Sequence, residues 1–206
     1  QTCALPIYEK ILAAFLDYAK FFDQIPWEIL WSLAEHWGIP KGILNASRTF
    51  YIKLKSRFKI GKAYGDQWFR SNGVAQGCPL SIMWANLLGA VWAKAIRKEA
   101  PRTQVNIFVD DKSLRTQNRS DFVEAFEVNA KFDRLAVLEL NMSKVNCFAS
   151  RKEDQAWLAK FEHKGKKVNE VKDIVTLGHQ LSVRKTTKNE KGNDRIEKGK
   201  IGRAHV

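Results

Sequence analysis

The chain has 206 residues, 45% of them hydrophobic, which is enough for one sizeable buried core. Its 35 Lys and Arg against 22 Asp and Glu leave a formal net charge of +13, so a neutral partner is a poor default and a polyanion such as nucleic acid, or an acidic membrane surface, fits better. No run approaches the roughly eighteen apolar residues of a membrane span, and nothing at the start reads as a signal peptide. Cys3, Cys78 and Cys147 are too few and too scattered for a disulfide framework or a zinc cluster. An intracellular protein, nuclear or cytoplasmic and not secreted, is expected.

The two ends read differently from the rest. Ile201 to Val206 can be encoded by ATC GGA AGA GCA CAC GTC, and the opposite strand, one base out of frame, encodes Thr2 to Pro6. That DNA resembles a common sequencing-library adapter. Residues 1–7 and 201–206 are therefore expected to be adapter-derived, leaving a native segment of about Tyr8 to Lys200 from a longer protein.

Along the chain, the apolar run Ile11 to Leu16 ending in Asp17 suits a buried strand. Pro26 opens a helix over 27–37, which stops at Gly38; its tryptophans suit a core better than a base-stacking platform. A second helix is expected over 41–54. Lys53, Lys55, Arg57, Lys59 and Lys62 follow among apolar and turn residues, a pattern that suits a solvated face or phosphate contact equally. Residues 56–72 alternate around Tyr64-Gly65-Asp66 and predict a hairpin. Gly73 to Ser81 reads as a glycine loop leading into a long helix over 82–97, with Pro79 near its first turn.

In Asn106 to Leu114, four mostly apolar residues meet Asp110 and Asp111, and a second short segment follows: strand, tight turn, strand. Adjacent strand residues point to opposite faces, so two neighbouring aspartates serve one site only where the backbone turns. Alone, the pair suits a solvated turn as well as a metal site. Arg119 to Leu138 predicts an amphipathic helix with Phe122, Ala125, Phe126, Phe132, Leu135 and Leu138 inward, covering the sheet that carries the aspartates. A turn and strand over 140–148, a helix over 155–161 and a hairpin over 171–183 centred on Gly178 come next. Residues 184–200 lose their apolar content and read as flexible or incomplete.

Five motifs then occur in one order: Leu16-Asp17-Tyr18-Ala19-Lys20-Phe21-Phe22-Asp23, the Gln-Gly-Cys-Pro-Leu-Ser loop at 76–81, Phe108-Val109-Asp110-Asp111, Leu-Asn-Met-Ser-Lys at 140–144, and Leu177-Gly178-His179. Together they resemble the palm of a reverse transcriptase, most like those of non-long-terminal-repeat retrotransposons and group II introns. The first motif departs from the family pattern in having Phe21 where alanine is usual.

The resemblance implies an α+β right-hand palm, an antiparallel sheet backed by helices with a split βαβ, ferredoxin-like core, over residues 8–183. Fingers and thumb would be incomplete, with 184–200 a flexible stretch or the start of a thumb. It implies RNA-directed DNA synthesis on an RNA template, extending a DNA or RNA primer with deoxynucleotides, with no membrane partner and little activity from this segment alone. Two magnesium ions, or manganese, would stabilise the attacking and leaving oxygens. Asp17, the Tyr18 carbonyl, Asp110 and Asp111 would be their ligands, since magnesium takes hard oxygens. Phe22 would crowd a ribose 2′-hydroxyl, Gln76 and Gly77 would line the incoming nucleotide, Lys144 would protonate the departing pyrophosphate, and Leu177-Gly178 would grip the primer. Two rivals are an RNA-dependent RNA polymerase and a non-catalytic remnant that only binds nucleic acid.

Overall fold

Strand β1 (Leu12–Leu16) is the centre of the main sheet, because it lies in an apolar run, Ile11 to Leu16 between Lys10 and Asp17, that can be buried on both faces. The computed structural model describes residues 10–176 and 179–182, with side chains described through Lys172. Both terminal stretches, Leu177-Gly178 and the basic segment from 183 onward lie outside the described residues.

After β1 come the short helix α1 (Phe21–Gln24), α2 (Trp27–His36) and α3 (Lys41–Lys53). Two nested strand pairs follow, β2 (Lys55–Ser56) with β5 (Trp68–Phe69), and β3 (Lys59–Ile60) with β4 (Ala63–Tyr64). The hairpin thus turns at Gly61-Lys62 and not at Tyr64-Gly65-Asp66, because Gly61 takes the left-handed conformation that a two-residue turn requires. The long helix α4 (Ser81–Glu99) leads into β6 (Gln104–Phe108) and β7 (Asp111–Thr116), followed by α5 (Arg119–Ala136). The Asn118 side chain caps α5 by accepting from the Asp121 amide at 2.9 Å. Then come β8 (Asn146–Ala149), α6 (Lys152–Leu158), β9 (Glu162–His163), β10 (Lys166–Lys167), β11 (Asn169–Glu170), β12 (Asp173–Thr176) and β13 (His179–Ser182).

The main sheet has the order β11-β8-β1-β7-β6. Strand β1 runs antiparallel to both β7 and β8, and β6 and β7 form a hairpin, so β1, α4, β6 make a βαβ unit split by β7. With α5 and β8 this is the split βαβ, ferredoxin-like plan; β11 adds a parallel edge strand.

Helices α4 and α5 cover one face of the sheet. There Leu12, Ala14 and Leu16 of β1 meet Trp84, Leu88 and Trp92 of α4 and Phe122, Phe126 and Phe132 of α5 in one buried cluster. Ile11, Ala13 and Phe148 form a smaller cluster of their own, with Phe15 and Val171 against it. The α2 tryptophans divide: Trp31 is buried edge-on against Trp84, Trp27 is half-buried, and Trp37 is half-exposed beyond the helix end. Leu135 is exposed and not part of the α5 inner face, which continues instead through Asn129, Asp133 and Ala136. No helix among the described residues is long and apolar enough to cross a membrane.

Candidate active site

Strand register brings the first acid to the second. Leu12, Ala14 and Leu16 pair with Thr116, Leu114 and Lys112, all on the helix-covered face. Continuing by one residue, the period of two puts Asp17 and Asp111 beside each other on the opposite face. The turn between β6 and β7 consists of Val109 and Asp110, with Phe108 paired to Asp111. Val109 takes φ 60°, a left-handed conformation that costs a β-branched residue strain and that closes so short a turn. The neighbouring aspartates therefore sit at a turn.

The three carboxylates sense one another. Partial burial holds the Asp111 carboxyl above the usual carboxylate range, and the charges of Asp110 and Asp17 push it the same way. A bound cation would relieve that repulsion, and the donors are the hard oxygens that magnesium takes. Among the described residues no three His, Cys, Asp or Glu side chains converge tightly enough to hold a metal by themselves. A magnesium ion here would need water and substrate phosphates to complete its shell.

The fourth motif, residues 140–144, meets the first through the backbone. The Asn141 amide donates to the Asp17 carbonyl at 2.8 Å, the Ala19 amide to the Glu139 carbonyl at 3.2 Å, and Tyr18 bridges Leu140. Because β8 pairs with β1 on its other edge, Lys144 reaches the same acid: its Nζ lies 3.7 Å from Asp17 Oδ1, and both side chains are open to solvent.

The glycine loop is fastened to α1. Val74 donates to the Phe22 carbonyl at 2.7 Å and Gly73 to the Ile25 carbonyl at 3.0 Å, while Trp27 Nε1 donates to the Gly73 carbonyl at 2.6 Å. A Cβ on Gly73 would lie 2.7 Å from the Asp23 backbone, so only glycine permits this approach. Phe22, half-buried and edge-on to Phe21, is thereby tied to the loop carrying Gln76 and Gly77, which are exposed. Gly77 and its neighbours Ala75, Cys78, Pro79 and Leu80 also line an apolar cleft of about 760 Å³ against α3. Leu177-Gly178, expected to grip a primer, lie outside the described residues.

One buried group escapes a motif search. Lys112, directly after the aspartates, is 2% exposed and makes no hydrogen bond among the described residues. Its ammonium lies within 4.3 to 5.3 Å of the ring centroids of Tyr18, Phe21, Trp92 and Phe132. Beside this cage the Tyr18 hydroxyl donates to Asp133 Oδ1 at 2.8 Å, and Asn129 receives Trp92 Nε1 at 2.7 Å and donates to Asp133 Oδ2 at 2.8 Å. Burial lowers the Lys112 amine to about 8 and raises the Asp133 carboxyl to about 6, each opposed by the other's charge. The signal was available: Lys112 shares strand parity with Leu114 and Thr116, so alternation alone places it inward.

The split βαβ sheet backed by two helices is the arrangement expected of a polymerase palm. A family model described as reverse transcriptase (RNA-dependent DNA polymerase) matches residues 3–181, and the chain belongs to that family. Among solved structures it is similar to apo telomerase from Candida tropicalis, with TM-score 0.63 and 12% identity over 85% of this chain and 31% of that one. Telomerase from Candida albicans in complex with a TWJ fragment of telomeric RNA gives TM-score 0.60 and 13% identity over 87% of this chain and 32% of that one. At such identity the likeness is one of fold. The chain spans about a third of the length of these structures.

Proposed function

We propose that residues 8–183 are the palm, with part of the fingers, of an RNA-directed DNA polymerase from a retroelement of the non-long-terminal-repeat or group II intron kind. The observation that supports this reading is the β1–β7 register, which ends at Leu16↔Lys112 just before Asp17 and just after Asp111, together with an Asp111 carboxyl that feels the charges of Asp17 and Asp110. The reaction joins a primer 3′-oxygen to the α-phosphorus of a deoxynucleoside triphosphate, breaks the α–β phosphoanhydride bond and releases pyrophosphate. Two magnesium or manganese ions, when bound, would supply charge neutralisation at the attacking and leaving oxygens.

This chain's residues do the rest. Asp17, Asp110 and Asp111, with the Tyr18 carbonyl, present hard oxygens for the cations on the open face. Lys144, beside Asp17, is in reach to give a proton to the departing pyrophosphate. Phe22 would crowd the sugar and exclude a 2′-hydroxyl, and Gln76-Gly77 would line the incoming nucleotide and the RNA template. Leu177-Gly178 would hold the primer.

Primer extension on an RNA template, with deoxy- and ribonucleotides compared, tests the reading. The expected result is magnesium-dependent incorporation of deoxynucleotides by the longer parent protein, with little from this segment alone, lost by about 100-fold or more in Asp110→Asn with nucleic-acid binding retained. Equal use of ribonucleotides would point to an RNA polymerase, and binding without synthesis to a non-catalytic remnant.

A further inference from the structure

The hairpin between α3 and the glycine loop is an exposed aromatic and basic surface that nucleotidyl transfer does not use. Phe58, Ile60, Tyr64 and Phe69 are 71%, 81%, 58% and 60% exposed, and Phe58 packs on Trp68 with ring centroids 4.6 Å apart. Residues this apolar are seldom left together in solvent without a partner. Two of these rings have cations over them: Lys55 Nζ lies 5.6 Å from the Phe69 centroid, and Arg57 and Lys59 lie 5.7 and 5.5 Å from that of Tyr64. Between residues 55 and 70 five cations face one carboxylate, Asp66. Among the described residues, Arg70 alone of these cations is paired with an acid, Asp23, at 3.1 Å.

We propose that the hairpin Lys55–Phe69 is an accessory platform for single-stranded nucleic acid, its rings stacking on unpaired bases and its Lys55, Arg57 and Lys59 holding phosphates. Charge and apolarity together select this partner. Protein docking sites concentrate apolar groups centrally and are depleted of lysine there, whereas here the cations are interleaved ring by ring. A duplex hides its base faces, while an unpaired strand offers a π-face at every residue. Lysine and arginine at alternate positions lie roughly 6.7 Å apart along an extended chain, on the scale of neighbouring phosphates of one strand. Binding here needs none of Asp17, Asp110 or Asp111, so it stands apart from the polymerase chemistry.

Fluorescence anisotropy of a labelled, mixed-sequence single strand titrated with the chain, over a series of salt concentrations, tests the assignment. Phe58→Leu with Tyr64→Leu keeps apolar surface but removes the π-faces, and affinity is expected to fall about tenfold or more; Phe58→Trp is expected to retain it. Lys55→Gln and Lys59→Gln should each lower the salt slope by about 0.7, a reading that does not depend on the ring substitutions. Asp110→Asn should bind the strand like the wild type, and synthesis retained in that variant would count against the polymerase reading alone. Unchanged affinity in the leucine variant together with an unchanged salt slope would overturn the proposal. So would preference for anionic lipid vesicles over the single strand, or a dimer in solution that Phe58→Leu dissociates.

Discussion

The Lys112 ammonium lies 4.3 Å from the centroid of the Tyr18 ring, joining the strand after the aspartate turn to the segment after Asp17. The two halves of the carboxylate site are thus clamped on the covered face of the sheet, directly beneath Asp17 and Asp111. A desolvated cation among aromatic faces is worth about 2 kcal/mol or more per favourable contact, which offsets part of the cost of burying it.

That clamp gives stability a definite pH dependence. Folded Asp133 keeps its proton to about pH 6, whereas an unfolded aspartate releases it near 3.9. The fold binds the extra proton between about pH 4 and 6, so stability falls as pH rises through that window, by on the order of 2 kcal/mol. Lys112 acts in the opposite sense: its folded value of about 8 lies below the unfolded one, so stability rises from about pH 8 to 10.4. Urea unfolding across pH should show the acid-side fall in the wild type and a flatter curve in Asp133→Asn. Equal slopes in the two proteins would contradict the assignment.

Repulsion among Asp17, Asp110 and Asp111 predicts stabilisation by divalent cations. Magnesium at about ten times its dissociation constant should add about 1.4 kcal/mol and raise the thermal midpoint by a few degrees, beyond sodium chloride at equal ionic strength. Asp111→Asn should be more stable than the wild type without magnesium and gain less from it. A variant that gains as much as the wild type would show that the cation binds elsewhere.

The two glycines of the loop should respond unequally to alanine. Gly73 combines φ 79° with backbone atoms 2.7 Å from a Cβ, so Gly73→Ala should cost about 2 kcal/mol or more. At Gly77, with φ 87° and nothing within 4 Å, the cost should be the conformational strain alone, about 1 kcal/mol. Chemical denaturation of both variants checks the order, and a reversed order would mean that the loop is not held against Asp23.

Trimming Phe22 should relax sugar selection. Phe22→Ala is expected to raise ribonucleotide use relative to deoxynucleotide use by about 10- to 100-fold in kcat/KM, the range a pocket gains or loses by a change of contact. An unchanged ratio with normal extension would assign Phe22 to packing against Phe21 only.

Lys144→Gln should slow extension by about 100-fold at saturating nucleotide while primer and template still bind, because a positioned general acid contributes at that scale. Single-turnover kinetics separate this from a binding defect. A change confined to KM would make Lys144 a charge partner of Asp17 and of the triphosphate.

Much of the fold was legible because its elements announce themselves locally. The run from Ile11 to Leu16, the proline-opened helices and the Asp110-Asp111 turn each carry a pattern set by a few neighbours in sequence. The hairpin after α3 is expected to turn at Tyr64-Gly65-Asp66, but the left-handed backbone at Gly61 puts the turn at Gly61-Lys62. Leu135 has the apolar character of its helix but points outward, because the inner face is set by what α4 and the sheet present to it. Lys112 was missed because a lysine reads as surface until its strand parity is counted against a covered face.

By itself, the sequence determined the residue types: acids at strand ends, a glycine loop before a long helix, and a basic, aromatic hairpin. Those follow from conformational preference and hydrophobic spacing, which act over a few residues. Only the tertiary structure decided that β1 lies between β7 and β8, and hence that Asp17 meets Asp111 on one side and Lys144 on the other. Strand order and register are fixed by how whole faces pack, and a shift of one residue would turn those side chains to the covered face. No local pattern carries that information.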